Sequence, residues 1–177
     1  MEKIFIKQGY FGIFLFISFN FFAIYFYPGG TIIDSTTEGY LFFYNFFSNL
    51  GEWVAKNGQD NSFSAYLFNS SLIVLAVSYG LFYIMFLKIQ FRISEKYFIK
   101  MALIITIGLS LLSFILVAVF PSEGPTFSLH IFFVKAAFRL LLFHCLIQVY
   151  NLFQNLVFSS SIKIISVIFS AALFLFI

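Results

Sequence analysis

The chain has 177 residues, of which 62% are hydrophobic and only 10% are charged, and its mean hydropathy is +1.01. Water-soluble domains are typically about 45–50% apolar and about 25% charged, so a soluble globular protein is excluded. The net charge of +3 is small, and no basic face with interleaved aromatic residues is present, so nucleic acid is not an expected partner. These values predict an integral membrane protein whose main partner is the lipid bilayer.

Five apolar runs predict an all-α fold: a polytopic transmembrane helix bundle that forms a single domain over residues 1–177. A helix needs about 20 residues to cross the hydrocarbon core of a bilayer. The predicted spans are residues 9–27, 66–87, 101–120, 129–157 and 162–177. The last apolar run holds only about 14 residues from Ile164 onward, so it is either truncated or completed by a partner.

The first run is predicted to be a retained helix rather than a cleaved signal peptide. It is long for a signal sequence and ends Phe26-Tyr27-Pro28, without the small residues of a cleavage site. The alternative of a cleaved signal stays open. Asn20 is the polar residue within this run, and it is expected to hydrogen bond to a neighbouring helix.

Residues 28–64 form the longest stretch between spans and are predicted to contain an amphipathic helix at about 36–57. The sequence Ser35-Thr36-Thr37-Glu38 has the form of a capping box, and Gly58 stands where a helix C-cap is expected. Polar residues then recur three or four positions apart, which places them on one narrow face of a helix. They are Asn45, Ser48, Asn49, Glu52 and Lys56. Such a helix is expected to lie in the outer membrane interface or against the bundle.

The distribution of Lys and Arg predicts a multi-pass protein of the cell membrane with a cytoplasmic N-terminus, because basic residues near span ends stay inside. One side of the predicted spans is flanked by Lys3, Lys7, Lys88, Arg92, Lys96, Lys100 and Lys163. The long loop on the other side has Lys56 alone, against Asp34, Glu38, Glu52 and Asp60. The loop between the third and fourth spans has Glu123 and no basic residue.

The fourth span carries polar residues on two nearly opposite faces. At about 100° per residue, one face holds, within roughly 60°, His130, His144, Gln148, Asn151 and Asn155. Lys135 and Arg139, four positions apart, share the other face. A helix that is polar on both sides should sit in the middle of the bundle, with both faces turned toward protein.

Arg139 is expected near mid-depth, roughly 15 Å from the start of the span at Leu129. An arginine there costs about 2.5–3.5 kcal/mol on insertion scales and therefore needs a partner. No Asp or Glu lies inside a predicted span, so an acidic partner must come from an outer loop. The candidates are Glu123, Asp34, Glu38 and, if the amphipathic helix tucks inward, Glu52. Lys135 is shallower and can instead extend toward the interface.

These cations have two interpretations. Loop acids or carbonyl groups hold them and so fix the position of the helix, or the cations bind an anionic headgroup or solute that enters from the outer leaflet. The candidate ligand-binding residues are Glu52, Glu123, His130, Lys135 and Arg139. His130, beside Glu123, either shuttles protons or caps the start of the fourth helix.

No metal site and no cofactor are predicted. His130 and His144 are 14 positions apart, about 21 Å along one helix, which is too far to share one ion. Haem ligation by two histidines would need others on a facing helix, and the chain has only these two. The sequence also lacks the HExxH, GxSxG and Gly-rich phosphate-binding motifs of common enzyme classes. The one cysteine, Cys145, permits no intrachain disulfide.

Several short motifs stand in the order that one membrane family shows. They are Phe47-Ser48-Asn49-Leu50-Gly51, Leu67-Phe68-Asn69-Ser70-Ser71-Leu72, Phe120-Pro121, His130 and Ala136-Ala137-Phe138. They resemble the prokaryotic membrane family called domain of unknown function 998, which is distantly similar to the DRAM-like membrane proteins. The resemblance covers about residues 9–157 and implies a bundle of about six helices without an assigned reaction.

The resemblance maps the serine-x-leucine-glycine element of that family to Ser48, Leu50 and Gly51, and its histidine to His130. Asn69 and Pro121 belong to the same motif set. The short last helix departs from the family pattern.

Two classes of function remain. The favoured one is a non-enzymatic bundle that binds or senses a lipid or small solute at its outer face, because no nucleophile or metal-binding set converges. The alternative is a membrane-embedded enzyme that acts on an anionic lipid-like substrate. In that alternative His130 and Glu123 or Glu52 supply the acid and base. Lys135 and Arg139 then hold the headgroup. The oligomeric state is left open.

Overall fold

The computed structural model describes residues 2–93, 96–154, 156 and 158–177, and within them the chain forms five α-helices, which confirms the all-α prediction. The helices are α1 (Glu2–Phe26), α2 (Ser62–Ile93), α3 (Tyr97–Val119), α4 (Phe127–Phe153) and α5 (Ser160–Phe176). Two short 3-10 turns, Phe47–Gly51 and Gly124–Thr126, lie in the connections. Asn155 and Val157, at the end of the predicted fourth span, lie outside the described residues.

In the part of the chain that the structure describes, four helices are long and apolar enough to cross a membrane: Lys7–Phe26, Ser62–Lys88, Tyr97–Val119 and Gly124–Phe153. α5 is also apolar, but its 17 residues are fewer than the about 20 that a full crossing needs. The architecture is therefore compatible with a multi-pass membrane protein that has four full-length crossings and one short helix.

Consecutive helices pack side by side in antiparallel order, and small or polar side chains stand where α1 meets α2. Asn20 Nδ2 donates a hydrogen bond of 2.9 Å to Ser71 Oγ, as expected for a polar residue inside a bundle. Nearer the N-terminus, Gly12 lies so close to Ser78 that a Cβ at position 12 would clash with the serine Cβ. Close backbone approach of this kind is how small residues hold membrane helices together.

Many of the buried apolar side chains among the described residues gather in two clusters. The first lies near the α1–α2 connection and is made of Ala23, Tyr27, Leu50, Ala55, Phe68, Leu72, Val117 and Ala118. The second lies toward the other end of the bundle and is made of Tyr83, Leu87, Leu103 and Ile107. α4 contacts the first cluster through Phe133 and Val134, and the second through Leu141 and Ile147. α4 packs mainly against α3 and also against α5, so it has more than one neighbouring helix.

The prediction of an amphipathic helix at about 36–57 is wrong. Residues 27–61, here called the cap, form turns, the short 3-10 turn and two isolated β-bridges. The polar spacing that suggested a helix has another cause, since asparagine side chains bond to nearby backbone groups. Asn45 Oδ1 accepts from the Leu41 N–H at 2.9 Å, and Asn49 Oδ1 accepts from the Phe46 N–H at 2.8 Å. Such bonds compete with helical backbone pairing.

The expected capping box also forms a different structure. Asp34 Oδ1 accepts hydrogen bonds from the Thr36 N–H at 2.8 Å and from its hydroxyl at 2.7 Å, which closes a tight turn. Gly39 then has a φ of +66°, a conformation that would break a helix at that position. Gly58 has a φ of +82° and ends a turn rather than a helix, since its N–H donates to the Ala55 carbonyl at 2.9 Å.

Candidate functional site

The candidate site is the place where the cap meets the bundle, here called the cap junction: residues 48–54 and Asn61 of the cap, residues 120–123 between α3 and α4, and Asn69 of α2. At its centre is Glu52, which is only 1% exposed. Its Oε1 accepts hydrogen bonds from Asn49 Nδ2 at 2.9 Å and from Ser122 Oγ at 2.8 Å. Its Oε2 lies 2.7 Å from Lys56 Nζ, so the buried charge is both paired and hydrogen bonded.

Glu123 joins the same two segments from the other side. Its Oε1 accepts from the Trp53 N–H at 3.0 Å, and its Oε2 accepts from the Val54 N–H at 3.5 Å. Ser122 Oγ also lies 3.3 Å from the Ser48 carbonyl. Two carboxylates and one hydroxyl therefore connect the cap to the α3–α4 turn, across about 70 residues of sequence.

Amide side chains hold the rest of the cap junction to α2. Asn61 Nδ2 donates to the Glu52 carbonyl at 2.6 Å and to the Leu50 carbonyl at 3.3 Å. Asn69 Nδ2 donates to the Gly51 carbonyl at 3.1 Å. A Cβ on Gly51 would fall 2.7 Å from Asn69 Oδ1, which explains why glycine stands there. Leu50 is completely buried beneath this turn.

His130 belongs to the same end of the bundle. It is 3% exposed, and its Nδ1 lies 2.7 Å from the Phe120 carbonyl oxygen. Because a carbonyl can only accept, Nδ1 donates, and the ring ties the first turns of α4 to the end of α3. Of the two roles predicted for His130, this contact favours the structural one over proton transfer.

Lys135 and Arg139 are not part of the cap junction. Both side chains are exposed on α4, and neither makes a hydrogen bond or ion pair with any residue that the structure describes. The expectation that both polar faces of this helix turn toward protein is therefore wrong for the cationic face. The physical reason is angular: the face of α4 that packs against α3 carries His130 and His144, and the two cations lie opposite it.

A second polar cluster lies inside the bundle around His144, which is fully buried. His144 Nδ1 lies 3.1 Å from both the Leu103 carbonyl oxygen and Thr106 Oγ1. Its Nε2 lies 2.7 Å from the Tyr83 hydroxyl, which also contacts the Gln148 side chain. This arrangement satisfies the buried ring with protein partners, as expected for a core histidine.

Burial and local hydrogen bonds shift the pKa values of two side chains in the cap. Burial raises the pKa of the Tyr27 hydroxyl above its ordinary value of 10.0, so Tyr27 remains neutral and accepts from the Lys56 N–H at 3.3 Å. The two hydrogen bonds from Thr36 lower the pKa of Asp34 below its ordinary value of 3.8. Asp34 is thus kept ionised and its turn closed.

The sequence identified Glu52, Glu123 and His130 but not Ser122 or Asn61, which complete the cap junction. The signal available for Ser122 was its place beside Pro121 in a short connection that must turn tightly. Asn61 stands directly before α2, a position that is typical of an N-cap, yet its amide bonds to the cap instead. Among the residues that the structure describes, no group of three His, Cys, Asp or Glu is placed to hold a metal ion.

Comparison of the chain with protein-family models, with curated proteins and with solved structures gives no match.

Proposed function

We propose that this chain is a non-enzymatic, multi-pass membrane protein whose cap binds or senses a lipid from the outer face of the membrane. The observation that carries the proposal is a row of exposed aromatic side chains on the cap, here called the aromatic ridge. Its members are Phe42, Phe43, Tyr44 and Phe46, which are 72%, 89%, 63% and 66% exposed. Aromatic rings at the ends of a membrane bundle lie at the level of the lipid headgroups.

The ridge is held in a fixed shape from below. Asn45 lies in the middle of it but is only 8% exposed. Its Nδ2 donates to the Gly30 carbonyl at 2.8 Å, and its Oδ1 accepts from the Leu41 N–H at 2.9 Å. A preformed surface loses less conformational entropy on binding, which supports recognition rather than passive burial.

The charge of the cap favours a zwitterionic headgroup over an anionic one. The cap carries four acids, Asp34, Glu38, Glu52 and Asp60, and one base, Lys56. The Lys56 ammonium is already paired with Glu52 at 2.7 Å. Aromatic faces beside excess negative charge attract quaternary or primary ammonium groups, and they repel phosphate groups that carry a net charge.

The proposal places the cap outside and the N-terminus in the cytoplasm. The support is the distribution of basic residues, because the end of the bundle opposite the cap carries Lys7, Lys88, Lys96, Lys100 and Lys163. Single cysteines in a Cys145→Ser background test it, with Ile33→Cys in the cap and Lys96→Cys at the other end. A membrane-impermeant maleimide applied to intact cells should label position 33 alone; labelling of position 96 alone would reverse the orientation.

The lipid proposal is tested by native mass spectrometry of the purified protein in nanodiscs that contain equal amounts of phosphatidylcholine and phosphatidylglycerol. The wild type should retain phosphatidylcholine preferentially, and Phe43→Ser should lose that preference. Phe98→Ser is the matched control. Phe98 is 86% exposed, close to the 89% of Phe43, but it lies at the opposite end of the bundle. Equal retention of the two lipids by the wild type would contradict the proposal.

The contacts of the acidic residues support the non-enzymatic class over the enzyme alternative. General acid–base catalysis needs a group within hydrogen-bonding reach of the substrate. The Glu52 oxygens are buried and occupied by Asn49, Ser122 and Lys56. His130 Nδ1 is directed at a backbone carbonyl. Glu52 thus holds the cap in place, and His130 holds the start of α4 against the end of α3.

We also propose that the chain belongs to the family called domain of unknown function 998. Support comes from the position of the motif residues, since Ser48, Leu50, Gly51, Asn69 and Pro121 all lie in or beside the cap junction. A solved structure of a member of that family tests it. The asparagine that corresponds to Asn69 should donate to the carbonyl of the motif glycine, and a family structure without this contact would remove the support.

A further inference from the structure

We propose that the exposed face of α4 is the docking surface for a spanning helix of a different membrane protein, and that this partner helix carries an Asp or Glu near the middle of the bilayer. The face is one continuous stripe, because its exposed side chains recur three or four positions apart. They are Phe132, Lys135, Arg139, Phe143, Leu146, Tyr150 and Phe153. The stripe is aromatic and aliphatic except for its two cations.

The two cations lie close to mid-depth. Ser110 Oγ of α3 donates a hydrogen bond of 2.8 Å to the carbonyl of Ala137, so these two residues stand at the same level. Ser110 is near the centre of α3, which runs over Tyr97–Val119. Ala137 lies between Lys135 and Arg139 in the sequence, so both cations flank the centre of the bundle.

Cations at this depth need partners, and the described part of the chain supplies none. A charge near the bilayer centre is costly unless it is paired or hydrated. Neither Lys135 nor Arg139 has a hydrogen bond or ion pair to a described residue. α5 does not cover them, because it packs on a neighbouring side of α4 through Phe138 and Phe176, whose ring centroids are 5.0 Å apart.

Charge complementarity identifies the occupant as a different protein rather than a second copy. The chain has seven acids, and none lies within α2, α3, α4 or α5 or within the spanning part of α1. A second copy therefore has no carboxylate at mid-depth to offer. A symmetric contact through the same face would also place Lys135 and Arg139 of both copies against each other.

The stripe also offers a place for the apolar side chains of such a helix. The half of the stripe that is farther from the cap borders a surface groove between α3 and α4 with a volume of about 400 Å³. The groove is lined by Phe98, Ile99, Ala102, Leu146, Ile147 and Tyr150. The lining is almost entirely hydrocarbon and aromatic. A partner helix can therefore place a carboxylate between the cations and pack apolar residues into the groove below them.

The test uses the full chain, labelled with an acceptor dye and reconstituted in phosphatidylcholine vesicles. The probe is a donor-labelled helix of about 20 Leu and Ala residues with one central Glu, compared with the same helix carrying Gln. Energy transfer should show that the Glu helix associates about five- to thirtyfold more strongly than the Gln helix, the range that polar contacts between model membrane helices give. Equal association of the two probes with the wild type overturns the proposal, whatever the variants do.

The variant arm is Lys135→Leu with Arg139→Leu, which should abolish the preference for Glu. Lys88→Leu is the matched control, because Lys88 is an exposed cation at the membrane edge, and it should keep the preference. A preference for Glu that survives in the double variant overturns the proposal. Two further results also overturn the proposal. One is energy transfer between copies of the wild-type chain that is absent between copies of the double variant. The other is association of the Glu helix with the chain only when phosphatidylglycerol is present.

Discussion

The Ser122 hydroxyl donates a hydrogen bond of 2.8 Å to the Glu52 carboxylate, although the two residues are 70 positions apart. This bond connects the cap, which contains no α-helix, to the turn between α3 and α4. A buried carboxylate is stable only when its charge is paired and its oxygens are hydrogen bonded. Glu52 meets this requirement only when the cap is closed on the bundle, so its burial and the shape of the cap depend on each other.

Removal of the Ser122 hydroxyl should loosen the cap. Ser122→Ala deletes one hydrogen bond to an ionised acceptor, a contact worth about 1.5–3 kcal/mol, and leaves the other partners of Glu52 in place. We expect the free energy of unfolding in mixed micelles to fall by that amount. Ser128→Ala is the matched control, since Ser128 is exposed on α4, and its effect should stay within about 0.5 kcal/mol. Equal effects of the two substitutions would show that the Ser122 bond adds nothing.

The Glu52–Lys56 ion pair should respond asymmetrically to the loss of each partner. The Glu52 side chain is 2% exposed and the Lys56 side chain is 28% exposed. Lys56→Met strands a buried anion and should cost about 3 kcal/mol, the lower end of the range for breaking a buried pair. Glu52→Gln keeps an acceptor for Asn49 and Ser122, and the lysine can turn to water, so it should cost about 1 kcal/mol.

The double variant completes a thermodynamic cycle measured by denaturant unfolding. Glu52→Gln with Lys56→Met should be more stable than Lys56→Met alone, because the stranded charge is gone. If Glu52→Gln proves the more damaging single substitution, the buried charge itself is what holds the cap.

Gly51 should not tolerate even one additional methyl group. A Cβ there would fall 2.7 Å from Asn69 Oδ1 and 2.7 Å from Phe68 Cδ1, and Phe68 is 4% exposed. Gly51→Ala should therefore destabilise the protein by about 1–3 kcal/mol through overpacking. Gly108→Ala is the control with the opposite sign, because no atom lies within 4 Å of its added Cβ in the middle of α3, and alanine favours a helix by about 0.5–1 kcal/mol. Thermal unfolding of both variants in the same detergent tests the pair.

The helices of this protein were predictable from the sequence because each depends on local information. Apolar runs longer than about 18 residues become spanning helices whatever their neighbours are. The polar partner expected for Asn20 also follows from physics alone, because an amide inside a bundle must find one. The positions of His130 and His144 on one buried face followed from the helical period.

The cap was not predictable, because its shape depends on bonds between distant residues. Glu52 and Lys56 are four positions apart, as on a helix face, and they do form an ion pair, but the segment between them is not helical. What fixes it is the contact with Ser122 and the amide of Asn61, neither of which is visible in a local pattern. The placement of Lys135 and Arg139 on the face of α4 opposite His130 and His144 was predictable from the helical period, whereas the exposure of that face was not.

The pKa of Asp34, in the first turns of the cap, should rise when the Thr36 hydroxyl is removed. The side-chain and backbone hydrogen bonds from Thr36 lower the pKa of Asp34 below 3.8, so the turn is fully stabilised above pH 3.8 and loses that stabilisation as the pH falls through the lower native pKa. Thr36→Val removes the hydroxyl bond of 2.7 Å and keeps the N–H bond, so the pKa of Asp34 should rise partway toward its ordinary value. Carboxyl-carbon NMR of the labelled protein measures it. Thr37→Val is the matched control, because its hydroxyl bonds to the Asp34 carbonyl at 3.3 Å and not to the carboxylate, and it should leave the titration unchanged. A rise of equal size in both variants would mean that the threonine hydroxyls act through the fold of the cap and not through the Asp34 carboxylate.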